Sequence, residues 1–207
     1  AADEDAAAQC CLEIDLLLKR IGLWISLESL GVRMAVRHLH ELGHTRVGFV
    51  GDSVSRQRRD VFCSSLRQCG IAVREEYLRM GAERFEQGGY LRMKELLSTR
   101  VPPTGVLAAY DDVAIGALRA ASEAGLRVPQ DLSIIGIDGI EVGGYLPTTL
   151  TTIATDTAEM AEAAGRILLR KIGNRSFAVV QHLEVNPQLI VRESTTAPNG
   201  RGAYGSR

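Results

Sequence analysis

Two sets of residues in this 207-residue sequence have types and spacings that could do chemistry. The first is His40-Glu41-Leu42-Gly43-His44, a literal His-Glu-x-x-His. On a continuous helix that spacing puts two imidazoles on one face beside a carboxylate base, the arrangement with which zinc hydrolases hold and use their metal. The context argues against it here. Gly43 reads as a helix stop, Thr45–Val50 reads as a strand, and His182, the one histidine downstream, has no His-rich segment around it. A zinc hydrolase is therefore a remote alternative. The sequence also lacks a GxxxxGK[ST] phosphate loop and a GxSxG elbow. No catalytic residue, metal or cofactor is expected, and the chain is not read as an enzyme.

The second set consists of carboxylates, arginines and rings, and it makes sense only through the elements that position it. Thr45–Asp52, Glu75–Gly81, Gly105–Tyr110, Leu132–Asp138 and Leu150–Ala154 have strand character. Between them Gly31–Gly43, Ser55–Gly70, Glu86–Arg100, Asp111–Leu126 and Asp156–Gly173 have helical spacing. Uninterrupted apolar strands alternating with helices predict an α/β fold whose parallel sheet is covered on both faces. In such sheets ligands bind beyond the carboxyl ends of the strands. Those ends are Gly51–Ser55, Gly81–Phe85, Tyr110–Asp112 and Asp138–Gly139, and the first leads into Arg56, Arg58 and Arg59. Carboxylates, a guanidinium and aromatic rings suit a neutral, hydroxyl-rich ligand such as a sugar or nucleoside. Each ligand hydroxyl donates to Asp and accepts from Arg while a ring covers an apolar face.

Each of these residues also has a plainer role. Asp111 and Asp112 open a helix, where Asp is favoured as a cap and by the positive helix end. Arg56, Arg58 and Arg59 could be a solvated basic helix start, and Tyr110 could be packing. Asp138 has no helical pattern straight after it, which favours ligand contact.

Composition narrows the classes further. The 24 Lys and Arg against 25 Asp and Glu leave a net charge of −1, unlike a protein that coats nucleic acid. No apolar run approaches the roughly 20 residues of a membrane span, and Ala1–Cys11 is acidic rather than a positively charged leader. Cys10, Cys11, Cys63 and Cys69 show no CxxC spacing and read as reduced thiols of a cytoplasmic protein.

The phrases GVRMAVRHLHELGHTRVGFVG, RRDVFCSSLRQCGI, YDDVAIGALRAASEAGLRVPQDLSIIGIDGI, YLPTTLTTIATDTAEMAEAAGRILL and NPQLIVRES give Gly31–Ser194 its kinship. This stretch resembles the effector-binding core of the LacI/GalR family of bacterial transcriptional repressors. The resemblance implies a two-lobed type I periplasmic-binding-protein fold with its N-terminal lobe incomplete. Residues 1–44 would be a remnant of that lobe, 45–147 the C-terminal lobe, 148–175 the return to the N-terminal lobe, 176–193 C-terminal-lobe strands, and 194–207 a disordered tail. It implies a small-molecule effector, a sugar or nucleoside, and a homodimer. DNA would be reached only through a helix-turn-helix head that these residues do not include. A sugar-binding protein of a transporter shares the fold and is the nearest alternative.

Residue by residue, the resemblance makes Arg58 a ligand-gripping arginine and Asp138 the aspartate that accepts from ligand hydroxyl or amino groups. Asp111 matches the second member of the family's Asn-Asp pair, with Tyr110 in place of the asparagine. Glu83 occupies a position that often holds Phe or Trp, and Phe85 follows two residues on. The glycine of the family's Arg-x-x-Gly-Phe phrase is Val61 here.

Overall fold

The computed structural model describes residues 23–25, 28–173, 181–183 and 186–199. It divides into two compact units, residues 28–155 with 187–207, and residues 1–27 with 156–186.

That unit is built on a six-stranded sheet in the order β3-β2-β4-β5-β6-β8. The strands are β2 (Val47–Asp52), β3 (Leu78–Gly81), β4 (Gly105–Ala108), β5 (Ser133–Asp138), β6 (Thr151–Ala154) and β8 (Gln188–Ile190). All neighbours pair in parallel except β6 and β8. Every residue of β2 and β4 is buried, as the apolar runs predicted for a sheet covered on both faces. Helices α1 (Glu28–Glu41), α2 (Arg56–Gln68), α3 (Phe85–Leu97) and α4 (Asp111–Glu123) provide the cover. Val32, Ala35, Val36 and Leu39 of α1 repeat at helical spacing and are fully buried. Gly70 ends α2 in the left-handed region, φ 71°, while the Ile71 N–H donates to the Leu66 carbonyl.

Helices α3 and α4 touch backbone to backbone. A Cβ at Gly116 would lie 1.8 Å from the Glu86 carbonyl oxygen, and one at Gly89 would lie 2.0 Å from that of Val113. Gly116→Ala must push the helices apart, so we expect a loss of about 3 kcal/mol, at the upper end of ordinary overpacking. Urea unfolding checks it; a variant as stable as the parent contradicts the close approach.

In the smaller unit β1 (Leu23–Ile25) pairs in parallel with β7 (Gln181–Leu183), and α5 spans Thr157–Gly173. Ala163 and Ile167 of α5 are buried, but Leu168, expected on the same face, is 42% exposed.

Several boundaries move. The strand expected over Glu75–Gly81 opens with a 3-10 turn, Glu75–Tyr77, because the Tyr77 side chain turns inward to donate to the Val101 carbonyl. Within 176–193, expected as C-terminal-lobe strands, β7 and β8 lie in different sheets. Disorder was expected from Ser194 onward on composition. Instead Ser194 is fully buried, its hydroxyl donating to the Ile134 carbonyl, and Thr196 accepts from His44. Hydrogen bonding to the sheet outweighs the Gly/Ser bias in this stretch. Residues 200–207 lie outside the described residues, as do Cys10 and Cys11 and most of the expected N-terminal remnant. Cys63 and Cys69 are free thiols. Among the described residues no helix is long and apolar enough to cross a membrane.

Candidate functional site

The chain leaves β2 toward β3 on one side and returns through α3 to β4 on the other. Strand order therefore reverses between β2 and β4, and in open α/β sheets the crevice that takes ligands lies beyond the strand ends at such a reversal. Nearly every residue singled out above stands around it.

Asp52 ends β2 and is fully buried. Its Oδ1 accepts from the Ser55 hydroxyl at 2.6 Å and from the Ser55 and Val54 N–H groups. Its Oδ2 accepts from Arg84 Nε at 3.0 Å and from the Tyr110 hydroxyl. Burial alone would raise this carboxyl, but the donors Ser55, Tyr110 and Arg84 outweigh it and hold Asp52 below the usual range. The same network, burial first, pushes the Tyr110 phenol up to about 12. Tyr110 is thus a neutral donor, with the Phe85 N–H donating to its oxygen at 3.3 Å. Arg84 lies 4.8 Å over the Phe85 ring, and Phe85 meets Tyr110 edge to face at 6.1 Å.

Across the crevice, Arg58 of α2 donates to the Ala109 carbonyl at 2.5 Å and faces the Asp138 carboxylate at 3.6 Å. The Asp138 side chain is 45% exposed and Arg58 20%, so the pair meets solvent at the strand ends. One offers an acceptor and the other a donor, the combination that reads a hydroxyl. Phe85 (φ 54°) and Asp138 (φ 120°) are the positive-φ residues other than glycine among those described. Backbone strain of this kind costs about 1–3 kcal/mol at each residue and concentrates at binding sites.

Asp111 is fully buried as the first residue of α4, and the cap position belongs to Tyr110, which makes no side-chain cap bond. The Asp111 carboxylate accepts from Thr152 Oγ1 at 2.7 Å and from the N–H groups of Gly139 and Ile140 at 2.8 and 2.9 Å. Burial wins over these donors and raises it to about 6. Because the folded value lies above the ordinary one, the associated stability is complete below about pH 4 and disappears as pH rises through 6. Asp111→Asn keeps a donor and an acceptor and drops the charge. We expect parent and variant to converge between pH 4 and 8 by about 2–3 kcal/mol, the parent losing more. Urea titrations across that range test it, and parallel pH curves contradict it.

Glu83 sits apart from the pair, 43% exposed and bridged at 3.4 Å to Arg92. The crevice thus brings Arg58, Asp138, Tyr110 and Phe85 together, with Asp111 beneath and Glu83 at the side. Asp52, Ser55, Arg84 and Thr152 were not singled out as site residues. A carboxylate ending a buried strand three residues before a serine was the signal for Asp52.

The His-Glu-x-x-His segment has another job. Helix α1 ends at Glu41, so His40 and His44 do not share a helical face. His44 is buried, with Nδ1 2.9 Å from Thr104 Oγ1 and Nε2 2.9 Å from the Thr196 carbonyl. Burial lowers its pKa. The ring thus bridges Thr104 and the Thr196 backbone.

The model of a periplasmic binding protein-like domain matches residues 36–195. This chain belongs to that family. Similar proteins include transcriptional regulators. The HTH-type transcriptional repressor PurR of Yersinia enterocolitica is 37% identical over 169 residues, covering 79% of this chain and 49% of the repressor. A LacI family transcriptional regulator from Enterococcus faecium, solved with bound ribose, superposes with a TM-score of 0.74 at 30% identity, covering 86% of this chain and 66% of that one. A LacI family regulator from Mycobacterium smegmatis gives 0.76 at 29%, covering 84% and 66%. The chain spans about half the length of the curated relatives it matches. The fold is that of a LacI-type effector-binding core, and these relatives favour a regulator over a transport protein or a hydrolase.

Proposed function

We propose that this chain is the effector-sensing core of a LacI-type transcriptional regulator, cytoplasmic, and that it binds a small hydroxyl-rich molecule of the sugar or nucleoside class. The Arg58–Asp138 pair at the strand-order reversal carries the reading, because it presents an acceptor and a donor to solvent beside aromatic rings. DNA contact belongs to segments outside these residues. Ligand binding acts on it only through unequal affinity for two arrangements of the protein. A thermal-unfolding screen with D-ribose, hexoses and nucleosides tests the reading. At least one class should raise the midpoint in a concentration-dependent way. No shift with any of them contradicts it.

The homodimer has its own support. Ile115, Leu118, Leu126, Val128, Leu146 and Pro147 line a mostly apolar groove, and the exposed Tyr145 precedes Leu146 in sequence. The charges near it are internally paired, Arg119 with Glu123 at 3.1 Å and Arg127 with Asp131 at 2.8 Å. An electrically neutral apolar face suits a second copy of itself. Sedimentation equilibrium should give a dimer that Tyr145→Asp converts to monomer; a monomeric parent overturns this part.

A further inference from the structure

The aspartate offered to the ligand stands on a backbone that needs an external restraint. Asp138 has φ 120° and Gly139 φ 76°, both left-handed, and only a short 3-10 helix, Glu141–Gly144, follows them. The restraint comes from Asp111, which is far away in sequence but directly beneath. Its Oδ2 receives two successive backbone N–H groups, Gly139 and Ile140, and its Oδ1 receives the Thr152 hydroxyl. Thr152 Oγ1 lies a further 3.2 Å from the Gly139 N–H. The floor is cut to fit: a Cβ at Gly136 would lie 2.0 Å from Asp111 Oδ1, and one at Gly139 would lie 2.5 Å from the Ala154 Cβ. Three elements, α4, β5 and β6, thus close on one buried carboxylate at the root of the Asp138 turn.

We propose that Asp111 is a positioning residue: it holds Asp138 and Gly139 in their left-handed form and so aims the Asp138 carboxylate at the mouth of the crevice. This rests on the binding role proposed above for Asp138 and adds the residue that sets its geometry. A carboxylate is suited to the task because one oxygen accepts both adjacent N–H groups while the other takes the hydroxyl. A hydrocarbon in its place leaves two buried N–H groups without an acceptor, and the turn then relaxes.

The test uses the full chain and residue-resolved amide hydrogen exchange, with carbon-detected titration of the Asp138 carboxyl. In Asp111→Ala, exchange at Gly139 and Ile140 should accelerate at least about tenfold over that of neighbouring strand amides, and the Asp138 titration should shift. Asp111→Asn should restore both. A merely structural role would loosen the fold generally and leave the Asp138 titration in place. If Asp111→Ala does not fold, Thr152→Val decides, since removing that hydroxyl should speed exchange at Gly139. Slow exchange at both amides in Asp111→Ala, or fast exchange with an unmoved Asp138 titration, overturns the proposal. D-ribose titration adds a second arm, in which Asp111→Ala should weaken binding about tenfold and Asp111→Asn recover it. Should the parent chain bind no D-ribose, the choice of ligand fails while exchange and titration still decide the positioning role.

Discussion

Asp52→Ala is expected to lower the unfolding free energy by about 3 kcal/mol, the scale seen when one member of a buried ion pair is removed. The size follows from what the substitution strands rather than from the pair's own strength. Arg84, the Tyr110 hydroxyl, the Ser55 hydroxyl and two backbone N–H groups all lose their common acceptor. Removing the cation instead is milder. Arg84→Met leaves Asp52 with the Ser55 and Tyr110 donors, and it takes away a guanidinium that already reaches solvent. We expect that loss to be about half as large. Urea unfolding of both variants and of the double variant gives the coupling. Equal, small effects would mean that the network does not hold the loops beyond β2, β3 and β4 together.

The second large effect concerns ligand affinity. Arg58→Ala and Asp138→Asn should each weaken the best-stabilising compound from the sugar and nucleoside screen by about thirty- to hundredfold. That corresponds to 2–3 kcal/mol for one charge-assisted hydrogen bond. Glu83→Gln should change affinity less than about threefold, because Glu83 is committed to Arg92 at the side of the crevice. Calorimetric titration reads all three. Unchanged affinity in Arg58→Ala would remove the pair from the binding role.

Much of this was legible in the residues because it is local. The buried runs GVLA and SIIGID can only be strands covered on both sides, and Gly43 and Gly70 end their helices through the backbone they permit. The strand-end rule then brought Tyr110 and Asp138 to one end of the sheet, and the family resemblance singled out Arg58 among the arginines after β2. What stayed hidden is long-range. Asp52 and Tyr110 are 58 positions apart, and nothing near either predicts that a phenol will share a carboxylate with Arg84. Asp111 looked like a helix cap because caps are read from the residues next in sequence. Its partners, Gly139, Ile140 and Thr152, come from the turn after β5 and from β6. The tail from Ser194 misled for the same reason: composition spoke for disorder, but His38, His44 and Ser133 bond it to the fold.

The most direct measurement is hydrogen-exchange mass spectrometry of the full chain with and without the best-stabilising sugar or nucleoside. An effector held at the strand-order reversal should slow exchange in the segments around residues 52–58, 83–85, 109–112 and 138–140 together. Protection confined to other surfaces, such as the groove lined by Ile115 and Leu146, with these four segments unchanged, would contradict the proposed site.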